Sequence, residues 1–217
     1  MSDFLGALIN GLILGSQYGL FAVGLALIIG AMRILNLAHA VLFTVGAYAA
    51  YYLAGELGGL PVWVVIILAG LVGGIVSGVL LEGLGLAPLR RRGTDDEIAV
   101  ALLTVGFAQA AISAVGIIAG TEPRSVDLER DVLGRVGTAT ITLPGVLSVI
   151  VALAAFAGLW AVVQRTRLGL HMRTVAASAQ DSELIGLNSR RIVRLTVLAA
   201  AILAGLGGAL YAANIGT

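Results

Sequence analysis

The chain has 217 residues, of which 59% are hydrophobic and only 12% charged, and its mean hydropathy is +1.03. Soluble domains carry about 25% charged residues, so the composition excludes one and calls for an integral membrane protein. A net charge of +1 gives no basis for nucleic-acid binding, and the absence of cysteine excludes disulfides, thiolate metal sites and a thiol nucleophile.

Met1, Ser2, Asp3 and Phe4 enter the first apolar run without a basic residue, unlike the positive start of a cleaved signal peptide, so the run reads as a retained span. A spanning helix needs about 20 apolar residues. Runs that satisfy this lie at about 4–30, 35–54, 62–87, 98–119, 144–163 and 192–213. The fold class predicted is an all-α integral membrane protein, a bundle of about six transmembrane helices forming one domain over 1–217.

In the first run Gly11, Gly15 and Gly19 share a helical face, as do Gly70, Gly74 and Gly78 in the third and Gly205 and Gly208 near the end. Such stripes let helix backbones approach closely, which predicts tight packing at each. Gln17 in the first run and Gln109 in the fourth put amides near mid-membrane, where an unpaired amide costs several kcal/mol. Both are predicted to face the bundle interior, in an interhelical hydrogen bond or along a polar path. The second run is marked by Asn36 and His39 at its start, which predicts a tilted or broken element. Asn36 there is either a helix cap or, with His39, part of a path. Glu82, near the end of the third run, is expected to pair with the Arg90, Arg91, Arg92 cluster.

Short cytoplasmic connections collect basic residues. Arg33, the cluster Arg90 to Arg92, and the six arginines from Arg165 to Arg194 fall on one side when the spans alternate, which makes that side the cytoplasm and places both termini outside. The loop 120–143 is then external, with Arg124, Arg130 and Arg135 among Glu122, Asp127, Glu129 and Asp131.

The most polar cytoplasmic connection is 165–188, the segment around which the reading places the rest of the chain. Leu170, Val175, Leu184, Ile185 and Leu187 give it an apolar side, and Gly169 and Gly186 are natural helix breaks. Two short helices are predicted, roughly 170–178 and 180–185, followed by Asn188 capping the last span. His39 and His171 stand alone, with no second ligand at helical spacing, so no metal site is expected. Neither a GxSxG elbow, an HExxH motif nor a phosphate loop is present. Any ATP site would therefore lie on another chain.

Residues 11–48, GLILGSQYGLFAVGLALIIGAMRILNLAHAVLFTVGAY, resemble the opening block of the permease subunits of branched-chain amino acid ABC transporters. The likeness rests on Gly11-x-x-x-Gly15-Ser16-x-Tyr18, the Gly24-Leu-x-Leu-Ile run and the order Arg33-Ile-x-Asn36-x-Ala-His39. A second block, Leu168-Gly169 through Arg173, Gly186, Arg191 and Leu203-Ala204-Gly205-x-Gly207-Gly208, resembles the family's cytoplasmic coupling loop and the helix after it. Where the family usually has Gly then an acidic residue after the histidine, this chain has Ala40 and Val41. It also stops at Thr217, where members usually continue, so the family's C-terminal helices are expected to be missing.

The resemblance implies a multi-pass subunit of the cell (inner) membrane, not itself an enzyme and without a cofactor. It implies a second permease subunit, homologous or identical, two cytoplasmic ATPase subunits and an external substrate-binding protein. Gln17, Asn36, His39 and Gln109 become candidates for the translocation path. The stretch 165–191 becomes the coupling loop, with Val175, Leu184, Ile185, Gly186 and Leu187 seating on the ATPase and Arg173, Asp181 and Glu183 fixing register. Arg124, Arg130 and Arg135 become candidates for docking the binding protein. Permeases for urea or short amides look similar. A stand-alone secondary transporter or channel should hold an ionisable residue deep in the membrane, and the deep positions here hold Gln, Ser and Thr instead. An assembly factor would need no polar path.

Overall fold

A computed structural model describes residues 2–32, 36–57, 59–91, 97–120, 122, 126, 132–137 and 139–215. The bundle is built around its last helix, α9 (Ser189–Ile215). Ala and Gly crowd that helix from Ala199 to Ala213, so neighbours can approach from several sides without side chains intervening. Helices α1 (Ser2–Met32), α2 (His39–Glu56) and α3 (Val62–Leu80) all pack along it. The polar segment 165–188 is thus attached to the bundle rather than central to it. Helical packing, not polarity, chose the hub.

The chain continues from α3 through a π-helical turn, Leu81–Leu86, into α4 (Ala87–Arg91). Helix α5 (Glu97–Ala119) then runs back, a two-stranded antiparallel hairpin follows as β1 (Val132–Val136) and β2 (Ala139–Thr142), and α6 (Leu143–Arg165) packs against α1. Two short helices, α7 (Arg167–Ala177) and α8 (Ala179–Leu184), lead into α9.

Among the described residues, five segments are long and apolar enough to cross a membrane: Ser2–Gly30, Val62–Leu89, Ile98–Ala119, Leu143–Arg165 and Ser189–Ile215. Helix α2 is not among them, although a sixth span was expected over 35–54. It begins later, at His39, after a turn through Asn36, and its 18 residues make it about 27 Å long. It nonetheless runs from one end of the bundle to the other. At its start the Leu37 amide donates to Thr104 Oγ1 on α5 (3.3 Å), while at its end Ala54 packs with Val65 and with Val126 of the α5–α6 connection.

The two ends of the bundle hold the groups that the arginine distribution assigns to them. Thr142, the N-cap of α6, lies 3.4 Å from Asn214 Oδ1 near the end of α9, and Gly137 of the hairpin sits against the Ser2 carbonyl. Both chain ends therefore share a side with the external connection. That connection was read as a loop, but β-branched residues on both sides of Gly137, which has φ +58°, make 132–142 a hairpin. At the opposite end, Arg165 lies over the Trp160 ring at 5.3 Å, an aromatic-cation pair suited to the membrane interface.

Only some glycine stripes pack. A methyl group at Gly70 would come within 2.6 Å of Leu206 Cα, and one at Gly74 within 2.6 Å of the Ala201 carbonyl oxygen. Gly78 is equally close to Ala201, at 2.7 Å. Gly11 and Gly15, by contrast, have nothing within 4 Å. They lie on the outer face of α1, so of the stripe expected to pack only Gly19 does so inside this chain, where a methyl group would meet the Phe156 ring at 3.0 Å.

Candidate functional site

Gln17 is fully buried where α1, α6 and α9 meet. Its Nε2 donates to Ser148 Oγ (2.8 Å) and reaches the Leu210 carbonyl (3.4 Å), while the Ser148 hydroxyl donates to the Pro144 carbonyl (2.8 Å). This is an interhelical knot. Its Oε1 has no partner among the described residues. Replacing Gln17 with Leu should change stability by less than about 1 kcal/mol: an intramembrane hydrogen bond is worth roughly 0.6 kcal/mol, and removing an unsatisfied buried oxygen recovers a comparable amount. Thermal unfolding in detergent checks this. A large fall in melting temperature would show that the amide does more than join helices.

Asn36 and His39 are brought together at the inner end of α2, and both are buried. Asn36 Oδ1 accepts from the Ala38 amide (3.0 Å) and its carbonyl accepts from the His39 amide (3.3 Å), so it braces the turn ahead of the helix. The helix N-cap itself is Ala38. His39 Nε2 lies 3.0 Å from the Phe21 carbonyl oxygen. Since a carbonyl only accepts, Nε2 carries the hydrogen, which leaves Nδ1 as an acceptor without a partner among the described residues. Gly24 makes room for this contact: a methyl there would lie 3.0 Å from the imidazole and 2.8 Å from the Ala200 carbonyl oxygen.

Gln109 does not join them. It is exposed on α5, a helix whose main neighbours among the described residues are α2 and the π-helical turn. The expectation that it faces the interior of this bundle fails, because the sequence pattern of α5 is apolar all round and does not say which face is covered. Glu82, on the π-helical turn, is buried, and Arg194 Nε approaches its Oε1 at 3.4 Å. One ion-pair partner is thus on α9, far along the chain; the side chains of Arg90 to Arg92, the partners expected, lie outside the described residues.

At the inner end, α7 leaves α6 at Thr166, whose hydroxyl accepts from the Gly169 amide (3.2 Å). The helix begins before Gly169 rather than after it, and Gly169 serves another purpose. It rests on the carbonyls of Val162 and Val163, where a side chain could not fit. Val175, expected to point toward a partner, is 3% exposed and packs with Met172 and Ile192. It holds α7 to the bundle. Leu184 and Ile185 are instead 86% and 70% exposed, with Leu170 also outward.

Ser178 caps α8 through the Asp181 amide (3.1 Å), and Gly186, with φ +84°, ends it in a left-handed turn closed by its amide on the Glu183 carbonyl (3.0 Å). Glu183 accepts from Ser189 Oγ and so is engaged within the segment. Arg173 Nη1 donates to Gln164 Oε1 (3.0 Å), Asp181 is exposed, Leu187 is half-buried, and Asn188 Oδ1 accepts from the Arg191 amide (3.0 Å) as a cap for α9. On the outer side, Arg135 is exposed on β1; Arg124 and Arg130 lie outside the described residues, as do Asp127, Glu129 and Asp131.

The sequence that folds into this bundle matches a family model. Residues 7–217 match the family described as branched-chain amino acid transport system / permease component. The chain belongs to that family. Among curated proteins, this permease is 28% identical over 221 residues to the high-affinity branched-chain amino acid transport system permease protein LivH of Escherichia coli strain K12, covering 95% of this chain and 70% of LivH. The corresponding protein BraD of Pseudomonas aeruginosa is 25% identical over 224 residues, 98% of this chain and 72% of BraD. A shorter likeness, 36% over 84 residues, links 39% of the chain to 25% of the nucleoside ABC transporter permease protein NupC of Lactococcus lactis subsp. cremoris. No solved structure matches the permease. It is a multi-pass protein of the inner membrane and a subunit of an ABC transporter.

Sequence reasoning missed Ser148, the partner of Gln17, and Thr104, which receives the Leu37 amide in the turn between Asn36 and His39, because a lone Ser or Thr in an apolar run gives no signal. It also passed over the aromatic residues Tyr18, Phe21, Phe43 and Tyr211, which the fold collects from three helices.

Proposed function

We propose that this permease forms the translocation path for branched-chain or related amino acids, with a second permease subunit, two cytoplasmic ATPase subunits and an external binding protein. The observation that carries it is the likeness to LivH along nearly the whole chain. The shorter likeness to NupC favours one competing substrate class, nucleosides. Uptake of labelled leucine, a nucleoside and urea, in cells lacking their own systems and supplied with the full transporter, tests this. Leucine uptake that depends on the ATPase and the binding protein is expected; uptake of only the nucleoside or urea overturns the amino acid assignment.

In this reading α7 and α8 are the coupling element over 165–191. Leu184, Ile185 and Leu187 seat on the ATPase, Arg173 and Asp181 set register at the rim, and Val175 and Glu183 keep the element rigid on the bundle. ATP binding closes the ATPases, the element transmits that motion to α6 and α9, and the path switches the side it faces. Asn36 and His39 brace the inner end of the path, where their turn ties α1, α2 and α5 together, and Gln109 faces a neighbouring subunit.

A Gly169→Val substitution should pry α7 from α6, since the new side chain would meet the Val162 and Val163 backbone, with Val163 Cα at 2.5 Å and both carbonyl oxygens closer still. Overpacking of this kind costs about 1–3 kcal/mol. Transport should fall about tenfold or more while membrane insertion persists. Normal uptake by this variant would show that the position of α7 is irrelevant to transport.

Arg124, Arg130 and Arg135 dock the binding protein in this scheme. Exposed pairs are worth roughly 0–1 kcal/mol each, so reversing one should do little and reversing all three should weaken docking and flatten its salt dependence. Unaltered stimulation of ATP hydrolysis by the binding protein would remove these arginines from the interface.

A further inference from the structure

Helices α1 and α2 each pack along α9 but barely touch one another. Over the seam between them lies a wall of aromatic rings drawn from all three helices. Phe43 of α2 is at its centre, 6.5 Å from Tyr18, 5.8 Å from Phe21 and 5.6 Å from Tyr211. Tyr18 and Tyr211 are 5.8 Å apart, and Phe21 continues to His39 at 4.9 Å. Gly207 and Gly208 admit this arrangement: a methyl at Gly207 would meet the Phe43 ring at 3.2 Å, and Gly208 sits directly against the Phe43 carbonyl.

Tyr18 is the residue that does not fit a lipid-facing surface. It is the seventeenth residue of the 31-residue α1, so it lies near mid-membrane, yet it is 51% exposed. Tyrosines belong at membrane interfaces, where the hydroxyl reaches water. The Tyr18 hydroxyl pairs with that of Tyr211, but two phenols bonded to each other still leave one O–H in need of an acceptor, which hydrocarbon does not supply. Beyond the inner end of the wall, His39 Nδ1 is a buried acceptor with no partner among the described residues.

We propose that Tyr18, Phe21, Phe43 and Tyr211 form the wall of the translocation path that contacts the aliphatic side chain of the transported amino acid. The inference rests on the amino acid importer reading and deepens it. Tyr18 and Phe43 lie nearly parallel, at 16°, and the other pairs are tilted at 47°, 59° and 87°, so the wall presents both faces and edges. Such a mixed surface can close around a compact branched group. The tyrosine hydroxyls supply the polarity that a path needs and a lipid surface lacks.

The chain has no cysteine, so single cysteines can be read without background. The test uses the complete transporter carrying Tyr18→Cys or, as a control on the exposed apolar face of α6, Leu153→Cys. A membrane-impermeant thiol reagent should modify the Tyr18→Cys variant about tenfold faster than the control, and saturating leucine should slow that reaction severalfold. Separately, Phe43→Ala and Tyr211→Ala should lower the ratio of leucine to alanine uptake about tenfold, with ATPase co-purification unchanged.

Absence of labelling at Tyr18→Cys, an oxidative cross-link from it to the neighbouring permease that leucine does not affect, or an unchanged uptake ratio would each overturn the proposal. The substrate reading fails separately. If the unaltered transporter carries only a nucleoside or urea, and that solute protects Tyr18→Cys, the path assignment survives while the aliphatic occupant does not.

Discussion

Replacing Leu184 and Ile185 together with Asp is expected to abolish co-purification of the ATPase while leaving the permease in the membrane. These side chains are among the most exposed large apolar groups of the chain, at 86% and 70%, and they lie at the end of a capped helix outside the bundle. Nothing inside the protein depends on their burial, so insertion and folding should be indifferent to the change. Burying a Leu or Ile side chain is worth about 1.5–3 kcal/mol. Losing both therefore weakens the contact by roughly 3–6 kcal/mol, or about two to four orders of magnitude in Kd. Pull-down from detergent together with substrate-stimulated ATP hydrolysis reads the result. Retention of both activities would move the point of energy transfer elsewhere. Val175→Asp is the contrasting case: Val175 is packed against Met172 and Ile192, so its substitution should loosen the whole element rather than one contact.

The second large effect is expected at Gly205→Leu. A methyl group at Gly205 would lie 2.5 Å from the Gly70 carbonyl oxygen and 2.7 Å from the Gly74 nitrogen, and Gly46 of α2 presses on the same point from another side. A leucine there must push α2 and α3 from α9, with a cost at or above the usual 1–3 kcal/mol of overpacking because backbone, not a flexible side chain, is in the way. The folded permease should be largely lost, seen as a fall in the monodisperse fraction after extraction and in melting temperature. Gly15→Leu serves as the control, since nothing approaches that position within 4 Å. The same exchange of residues should be harmless to this chain's stability in one helix and ruinous in another. Equal tolerance at both sites would contradict the packing around α9.

That contrast marks where reading the chain in one dimension stops. Periodicity and glycine spacing put Gly11 and Gly15 in the same class as Gly70 and Gly74, because a stripe of small residues says only that a face can be approached. Whether it is approached depends on the other helix, and in this chain α9 approaches α3 but nothing approaches the outer face of α1. Gln17 and Gln109 diverge for the same reason. Each is an amide in an apolar run, yet one finds Ser148 and Leu210 while the other lies on the exposed side of α5.

Local signals did better. Gly186 in a left-handed turn, Asn188 as a cap and two short helices between the last spans follow from backbone chemistry within a few residues. The hairpin at 132–142 was also local and could have been read from its β-branched residues around Gly137. The start of α2 at His39 could not, since it depends on Thr104 of another helix receiving the Leu37 amide.

By itself, then, the sequence determined that this is a multi-helix membrane protein and where the polar connection after α6 breaks into helices, because hydrocarbon length and backbone capping act along the chain. Only the tertiary structure decided that α9 is the axis, that Val175 is an internal strut while Leu184 and Ile185 face outward, and that four aromatic rings from three helices meet over one seam. Those outcomes depend on which helix surfaces are pressed together, and a face acquires its meaning only from the partner that covers it or leaves it bare.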